Sequence, residues 1–334
     1  MRHSGQVWRQ GNAGNGQIGY NRSMNAAGKA ERVLVIHNEK SGQGDSGLEE
    51  FVLELSHYGL TGELRALHPG VSLEELLQDA SSFRAVVAAG GDGTVSAVAH
   101  ALLGSEVPLL PYPAGTANLV ALNLGLPTDP AELAQTLLAG QTQPIDLARL
   151  SYTDASGNAV TQGFTVAAGV GFDAQVIADS EALKPRFGVG GYVLSALANA
   201  NAPVARFALQ LDGEPYQAEG IGVLIANFAK MQLGLELAPG ANAQDGLLEV
   251  VILKTRSAAG LVPELLRQLA EKVGLAAPNV SDRLEIHSVK RVRLESDPPL
   301  PVQFDGESVD GSPPLEAWVV PERVRFIVPA APDA

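Results

Sequence analysis

From Arg32 the chain reads VLVIHN, a short β-branched block, then a Gly/Ser turn, then the amphipathic stretch Leu48 to Leu55. That order predicts a strand, a loop and a helix. A strand near Glu63 to Leu67, a helix at Ser72 to Ala80 and a strand at Arg84 to Ala89 follow, the last carrying the apolar run AVVAA without alternation. Continuously apolar strands that alternate with helices indicate a parallel sheet covered on both faces, so the N-terminal half is expected to be an α/β domain. Beyond Asp146 the texture changes to FTVAAGV, FALQLDG, GVLIANF, LLEVVIL, RVRLE, VQFDGE and RVRFIVP. Short strands with regular turn signals predict an antiparallel β-sandwich or barrel, interrupted by helices near Val193 to Ala200 and Gly260 to Val273.

At 334 residues the chain is long enough for two cores. The boundary is expected near Ala148, giving an α/β domain over 31–148 and a β-rich domain over 149–321, with the final strand, 322–329, a candidate to return to the first. Residues 1–30 are rich in Gly, Asn, Ser and Gln and poor in large apolar groups, and read as a flexible leader. Within them GNGQIG, Gly14 to Gly19, has GxGxxG spacing, but no strand precedes it and the dinucleotide reading fails on context.

The absence of cysteine excludes disulfides, thiolate metal sites and a cysteine nucleophile. A formal net charge of −14 disfavours nucleic acid and broad attraction to anionic lipid headgroups. With no apolar run long enough to span a bilayer, the expectation is a cytoplasmic protein. The six histidines are scattered and form no metal motif.

Three loops carry candidate chemistry. GGDGT, Gly90 to Thr94, follows a buried strand and precedes an apolar helix. Paired glycines admit phosphate oxygens to the backbone, the helix start offers free N–H donors, and Thr94 can cap that helix. Asp92 can hold Mg²⁺ or its water, or accept a proton; its bland alternative is a solvated turn residue. PAGTAN repeats the strand-to-helix turn with Gly115, Thr116 and Asn118, and HNEKSGQG offers Asn38, Lys40, Ser41 and Gly42 at the same expected sheet edge. Ordinary turns and caps are the alternative for each alone, whereas three small-residue loops converging at one edge suit a nucleotide.

These blocks stand in the order found in the diacylglycerol kinase catalytic domain family, which includes sphingosine and ceramide kinases and bacterial relatives. The chain resembles that family from about Arg32 to Pro329, through HNEKSG, GGDGT, PAGTAN with NLGLP, IDLARL, AAGVGFDA, KPRFGVGGY, NFAKMQLG, LAPGANAQDGLLEV and VQFDGE. The resemblance implies a Rossmann-like α/β domain with a C-terminal antiparallel sandwich, ATP in the cleft between them, and a lipid acceptor met transiently at a membrane surface. It implies nucleotide-side positions at Asn38, Ser41, Gly42, Gly90, Gly91, Asp92, Gly93, Thr94, Gly115, Thr116 and Asn118. It places Asp305 and Glu307 near the accepting hydroxyl, one as general base, and a structural Mg²⁺ at Asp245 with Asn242 and Leu247. By residue type alone, Asp305 and Asp245 each read as Asp-Gly turns.

Several positions depart from the family's pattern. Ser96 and Ala97 stand where Asn and Glu are common after GGDGT, Leu119 replaces an aspartate, and the glycine cluster after NFAKM is reduced to Gln232, Leu233 and Gly234. Two alternatives therefore stand beside a lipid kinase: an NAD kinase-like enzyme with a soluble acceptor, and a nucleotide- or lipid-binding regulator without turnover. The basic run Lys290, Arg291 and Arg293 reads as a solvated strand face or a headgroup contact, and Lys184 and Arg186 as a cleft entrance or a surface loop. An exposed sheet edge leaves a homodimer open.

Overall fold

The structure is a computed structural model that describes residues 31–38, 46–171, 203–230, 236, 238–261, 267, 283–305 and 307–330. The leader, Lys40, Ser41, Gly42, Lys184, Arg186, the helix expected near 193–200, most of that expected over 260–273, and the 232–234 departure lie outside the described residues.

Four parallel strands form the first layer: β1 (Arg32–Asn38), β2 (Thr61–Leu67), β3 (Ala85–Gly90) and β4 (Leu109–Pro113), in the order β2-β1-β3-β4. Every residue of β3 is buried, the outcome its unbroken apolar run requires. Helices α1 (Ser46–His57) and α5 (Pro130–Ala139) cover one face, where Phe51, Leu55, Leu133 and Leu137 meet Val33, Val35 and Val87. Helices α2 (Leu73–Leu77) and α3 (Asp92–Ala101) cover the other through Leu77, Val95, Val98 and Leu102. The predicted helix at Ser72 to Ala80 is shorter than its pattern suggested: Ser72 is the N-cap of α2, its side chain accepting from Glu75 N, and a 3₁₀ turn, Ala80–Ser82, follows. The short helix α4 (Leu119–Asn123) follows β4.

The same sheet continues into the second half. β16 (Gly311–Ile327) is a single 17-residue strand whose end pairs in parallel with β4 at Phe326 and Leu109. It pairs antiparallel with β5 (Thr142–Asp154) from Gly311 to Ile327, and over Leu315 to Trp318 with β13 (Arg291–Asp297), which leads to β8 (Ala205–Leu211) and β9 (Glu214–Gly220). β6 (Ala159–Phe164) closes a hairpin on β5. A second, wholly antiparallel sheet runs β12 (Leu284–Val289), β11 (Leu248–Leu253), β10 (Gly222–Ala226), β7 (Ala167–Gly171), β14 (Val302–Phe304) and β15 (Glu307–Val309). The two sheets pack face to face over Phe207, Leu209, Val223, Ile225, Val250, Ile252, Val292 and Leu294. This is the sandwich expected from the alternating strands; β8 reads buried-exposed along its length, as one-sided burial demands.

A polar tie secures the seam between the halves. Buried Asp146 on β5 accepts from Arg323 Nε of β16 at 2.5 Å and from Gly246 N at 2.7 Å, and Asn227 Nδ2 donates to the Asp146 and Thr165 carbonyls, both at 2.8 Å. Asn123 of α4 makes a two-way bond with the Lys230 backbone, accepting at 2.9 Å and donating at 2.8 Å. No helix among the described residues is long and apolar enough to cross a membrane.

Candidate active site

The two glycine turns meet backbone to backbone. Gly91 is the N-cap of α3, and a Cβ added to Gly115 would lie 2.4 Å from Gly91 Cα and 3.1 Å from Gly91 N. Only a residue without a side chain permits this approach at 115. Asn118, held at φ 49°, laces its own loop: Gly115 N donates to its Oδ1 at 2.9 Å, and its Nδ2 donates to Gly115 O at 2.8 Å. Its side chain therefore shapes the turn. Thr116 is exposed at the loop tip.

Thr94 does not cap α3 as its position suggested, because the N-cap is one turn earlier at Gly91; the Thr94 hydroxyl instead accepts from Asn38 Nδ2 at 3.1 Å, joining the end of β1 to the helix start. Asp92 is buried and spends Oδ1 on Val120 N of α4 at 2.9 Å. Burial pushes its carboxyl above the ordinary aspartate range, against backbone N–H bonds that pull it down. Asp92 thus braces the PAGTAN helix against the GGDGT turn. Asp92→Ala should leave that buried N–H without its acceptor and cost about 1–3 kcal/mol of stability, read by thermal unfolding. Asp92→Asn keeps an acceptor oxygen; full turnover in that variant would confine Asp92 to bracing.

The second half contributes a carboxylate to the same place. Asp305 follows β14 in the turn to β15 with φ 44°, a left-handed conformation that costs a non-glycine residue about 1–2 kcal/mol. It is the Asp-Gly turn its dipeptide predicts, and it is also a built site. Oδ2 accepts from Thr165 N at 2.8 Å, Oδ1 from Val166 N at 2.8 Å and Ala167 N at 3.2 Å, while its own N donates to Ala167 O at 2.8 Å. Ser96 of α3 lines the same cleft, its hydroxyl accepting from Thr165 Oγ1 at 2.9 Å. The residue keeps a partly exposed surface on the cleft wall; burial raises its pKa to about 6 despite the three backbone donors that favour the anion. The backbone of Glu307 lies in β15 opposite Phe304, and its side chain lies outside the described residues.

One open cavity of about 570 Å³ unites these elements. Asn38, Gly91, Gly93 and Thr94 line its α/β wall; Ser96, Ala97 and His100 run along α3; Gln162, Gly163, Phe304 and Asp305 form the β wall. The sequence reading brought Asn38, the GGDGT turn and Asp305 to this cleft. It missed Thr165, His100 and Gln162, which lie on no motif. The His100 ring is packed so closely on Gly163 that a Cβ there would lie 2.4 Å away, and burial with nearby Arg149 holds the imidazole below its usual pKa.

Asp245, expected as a metal ligand, is exposed in a turn where Oδ1 accepts from Leu247 N at 3.0 Å, and the Asn242 carbonyl accepts from Gln244 N at 2.6 Å and Asp245 N at 3.2 Å. Asp245 Oδ1 and the Asn242 carbonyl are thus already accepting backbone N–H groups, and among the described residues no cluster of three or more acidic or histidine side chains could hold a metal ion. Arg291 pairs with Glu316 at 2.6 Å and Arg293 with Glu295 at 3.0 Å, so this part of the basic run is a charge-balanced strand face.

Glycine turns at strand ends and a carboxylate from the β-sandwich line one cleft, an arrangement suited to phosphate binding and proton transfer. The diacylglycerol kinase catalytic domain profile matches residues 32–150, and that of the YegS C-terminal NAD kinase beta sandwich-like domain matches residues 165–328. A Stenotrophomonas maltophilia protein named "Probable lipid kinase YegS-like" is 33% identical over 319 residues, spanning 90% of this chain and 96% of the relative. A Mycobacterium tuberculosis protein named diacylglycerol kinase is 29% identical over 318 residues, 89% of this chain and 95% of its own. A crystal structure of a diacylglycerol kinase from Bacillus anthracis superposes with a TM-score of 0.63 at 21% identity, covering 90% of this chain and 98% of that one, and shares the fold. The chain belongs to the diacylglycerol kinase-like family, in the company of the YegS-like proteins.

Proposed function

We propose that this chain transfers the γ-phosphoryl group of ATP to a hydroxyl of a diacylglycerol-like lipid, taken transiently from a membrane surface on the cytoplasmic side. The observation that carries the reading is the single cleft in which the GGDGT turn faces the Asp305 carboxylate, on a chain of this family.

The backbone N–H groups of the glycine turn and the start of α3 suit phosphate oxygens, since glycine allows close approach and the helix start leaves donors unpaired. Asp305 accepts the hydroxyl proton as the acceptor oxygen bonds to the γ-phosphorus; the bond from that phosphorus to the β–γ bridging oxygen breaks, and ADP leaves with the electron pair. Positioning and charge neutralisation supply most of the catalysis in such transfers. A structural Mg²⁺ held by Asp245 with the carbonyls of Asn242 and Leu247, as the family resemblance implies, would brace that turn, whose residues lie outside the cleft lining. The NAD kinase-like alternative is less favoured, because the relatives that span nearly the whole chain carry lipid kinase names.

The pH profile tests this reading. A base must be unprotonated, and Asp305 has a pKa raised to about 6, so its active form dominates above that value. kcat/KM for lipid phosphorylation should be flat from pH 7 upward and fall about tenfold per unit below pH 6. A profile unchanged down to pH 4.5 would exclude Asp305 as the base.

A further inference from the structure

We propose that Asn227 and His100 are positioning residues for the transfer: each grips, by its carbonyl end, a peptide group whose N–H end holds the Asp305 carboxylate. The proposal rests on the kinase reading above, in which Asp305 accepts the hydroxyl proton, and assigns a task to two residues on other elements of the fold.

Three successive peptide groups donate to Asp305. Thr165 N reaches Oδ2 at 2.8 Å, Val166 N reaches Oδ1 at 2.8 Å, and Ala167 N reaches Oδ1 at 3.2 Å. The carbonyls of those same three peptides belong to Phe164, Thr165 and Val166, and each has a partner of its own. His100 Nε2 lies 3.2 Å from Phe164 O, and Asn227 Nδ2 donates to Thr165 O at 2.8 Å. The backbone N–H groups of Asn227 and Phe228 donate to Val166 O at 2.9 and 3.3 Å. A carbonyl only accepts, so His100 carries its proton on Nε2. For the same reason the Asn227 group that faces the Thr165 and Asp146 carbonyls is its NH₂.

A trans peptide is planar, with C=O and N–H pointing in opposite directions, so a bond that fixes the carbonyl also aims the N–H. A carbonyl that accepts a hydrogen bond polarises its peptide as well, and makes the N–H a stronger donor. Asn227 and His100 thus act on the carboxylate through rigid groups. Asn227, 1% exposed, follows β10 and is not among the residues that line the cleft. His100 lies in the last turn of α3, the helix that begins at the phosphate-facing turn. The three-peptide cradle is therefore clamped from the sandwich by one residue and from the α/β domain by the other, which fixes Asp305 relative to the glycine turn.

Among the described residues that line the cleft, His100 is the other titratable group; burial, with Arg149 of β5 acting in the same sense, keeps its ring neutral at neutral pH. Glu307 stands two residues beyond Asp305 on β15, and Asp92 at the start of α3 accepts from Val120 N.

The test is a ¹³C carboxyl NMR titration of the full chain with labelled aspartate, Asp305 assigned by Asp305→Asn. Asn227→Ala removes the donor to Thr165 O, weakens the Val166 N–H that holds the anion, and should raise the Asp305 midpoint by about half a pH unit. Arg323→Gln, which cuts the neighbouring tie to the Asp146 side chain and leaves the three peptides alone, should lower Tm without moving the midpoint. His100→Gln can still offer an N–H to Phe164 O and should keep the native midpoint, whereas His100→Leu should raise it. The acid limb of kcat/KM should follow the midpoint in each variant, at an unchanged KM for ATP. A midpoint unmoved in folded Asn227→Ala, or moved equally by Arg323→Gln, would overturn the proposal; if Asn227→Ala does not fold, equal midpoints in the two His100 variants would overturn it. Because the titration needs neither ATP nor lipid, a native chain that phosphorylates nothing would count against the kinase reading alone.

Discussion

Asp305→Asn is expected to lower kcat for lipid phosphorylation by about 10²- to 10⁴-fold, the range a positioned general base contributes, with KM for ATP near that of the native chain. The exchange isolates the proton acceptor. Asparagine tolerates the left-handed backbone at φ 44°, and its amide oxygen can still take the Val166 and Ala167 N–H groups. Its NH₂ then faces the Thr165 N–H that Oδ2 now accepts, leaving one donor unsatisfied at a cost of about 1–3 kcal/mol. Thermal unfolding measured beside the kinetics separates the two effects: a modest fall in Tm with a collapse of kcat is the predicted pair, and a retained kcat would remove Asp305 from the chemistry.

The second large effect belongs to the glycine turns. A Cβ on Gly115 would sit 2.4 Å from Gly91 Cα, backbone against backbone, where no side chain can rotate aside. Gly115→Ala must part the two turns, at about 1–3 kcal/mol of overpacking, and displaces the phosphate-facing turn from Asp305 across the cleft. KM for ATP should rise at least about tenfold, since a displacement near 1 Å is enough to cost catalysis heavily. Gly104→Ala, at a turn outside the cleft lining where a Cβ meets nothing, is the comparison for backbone strain alone, with stability reduced and KM for ATP unchanged.

How much of this was legible in sequence depended on whether the signal was local. GGDGT and PAGTAN could be read because close backbone approach demands glycine, and β3 because burial on both faces leaves no polar position. The β5–β6 hairpin and the first eleven residues of β16 were not read as strands. Pro144, Pro313 and Pro314 interrupt them, and β9 is an edge strand whose exposed face is polar. The final strand was expected as a short return to the first domain; it is the end of a strand that runs through both halves, so the sheet itself crosses the expected boundary. Ser96 was read as a missing contact because a single serine carries no pattern; its partner Thr165 lies 69 residues away and becomes visible only when α3 packs on β6. Asp305 was both the turn its dipeptide announces and the site the resemblance implied, since the left-handed turn is what aims its carboxylate at the Thr165–Ala167 backbone.

The proposed reaction is phosphoryl transfer from ATP to a lipid hydroxyl. It is tested most directly by incubating the full chain with Mg²⁺ and γ-labelled ATP, detergent-dispersed diacylglycerol and, in a parallel reaction, NAD, then partitioning the products between organic and aqueous phases. Label is expected in the organic phase, absent with Asp305→Asn and absent from NAD. Label on NAD alone, or ATP binding with no labelled acceptor in either phase, would contradict it.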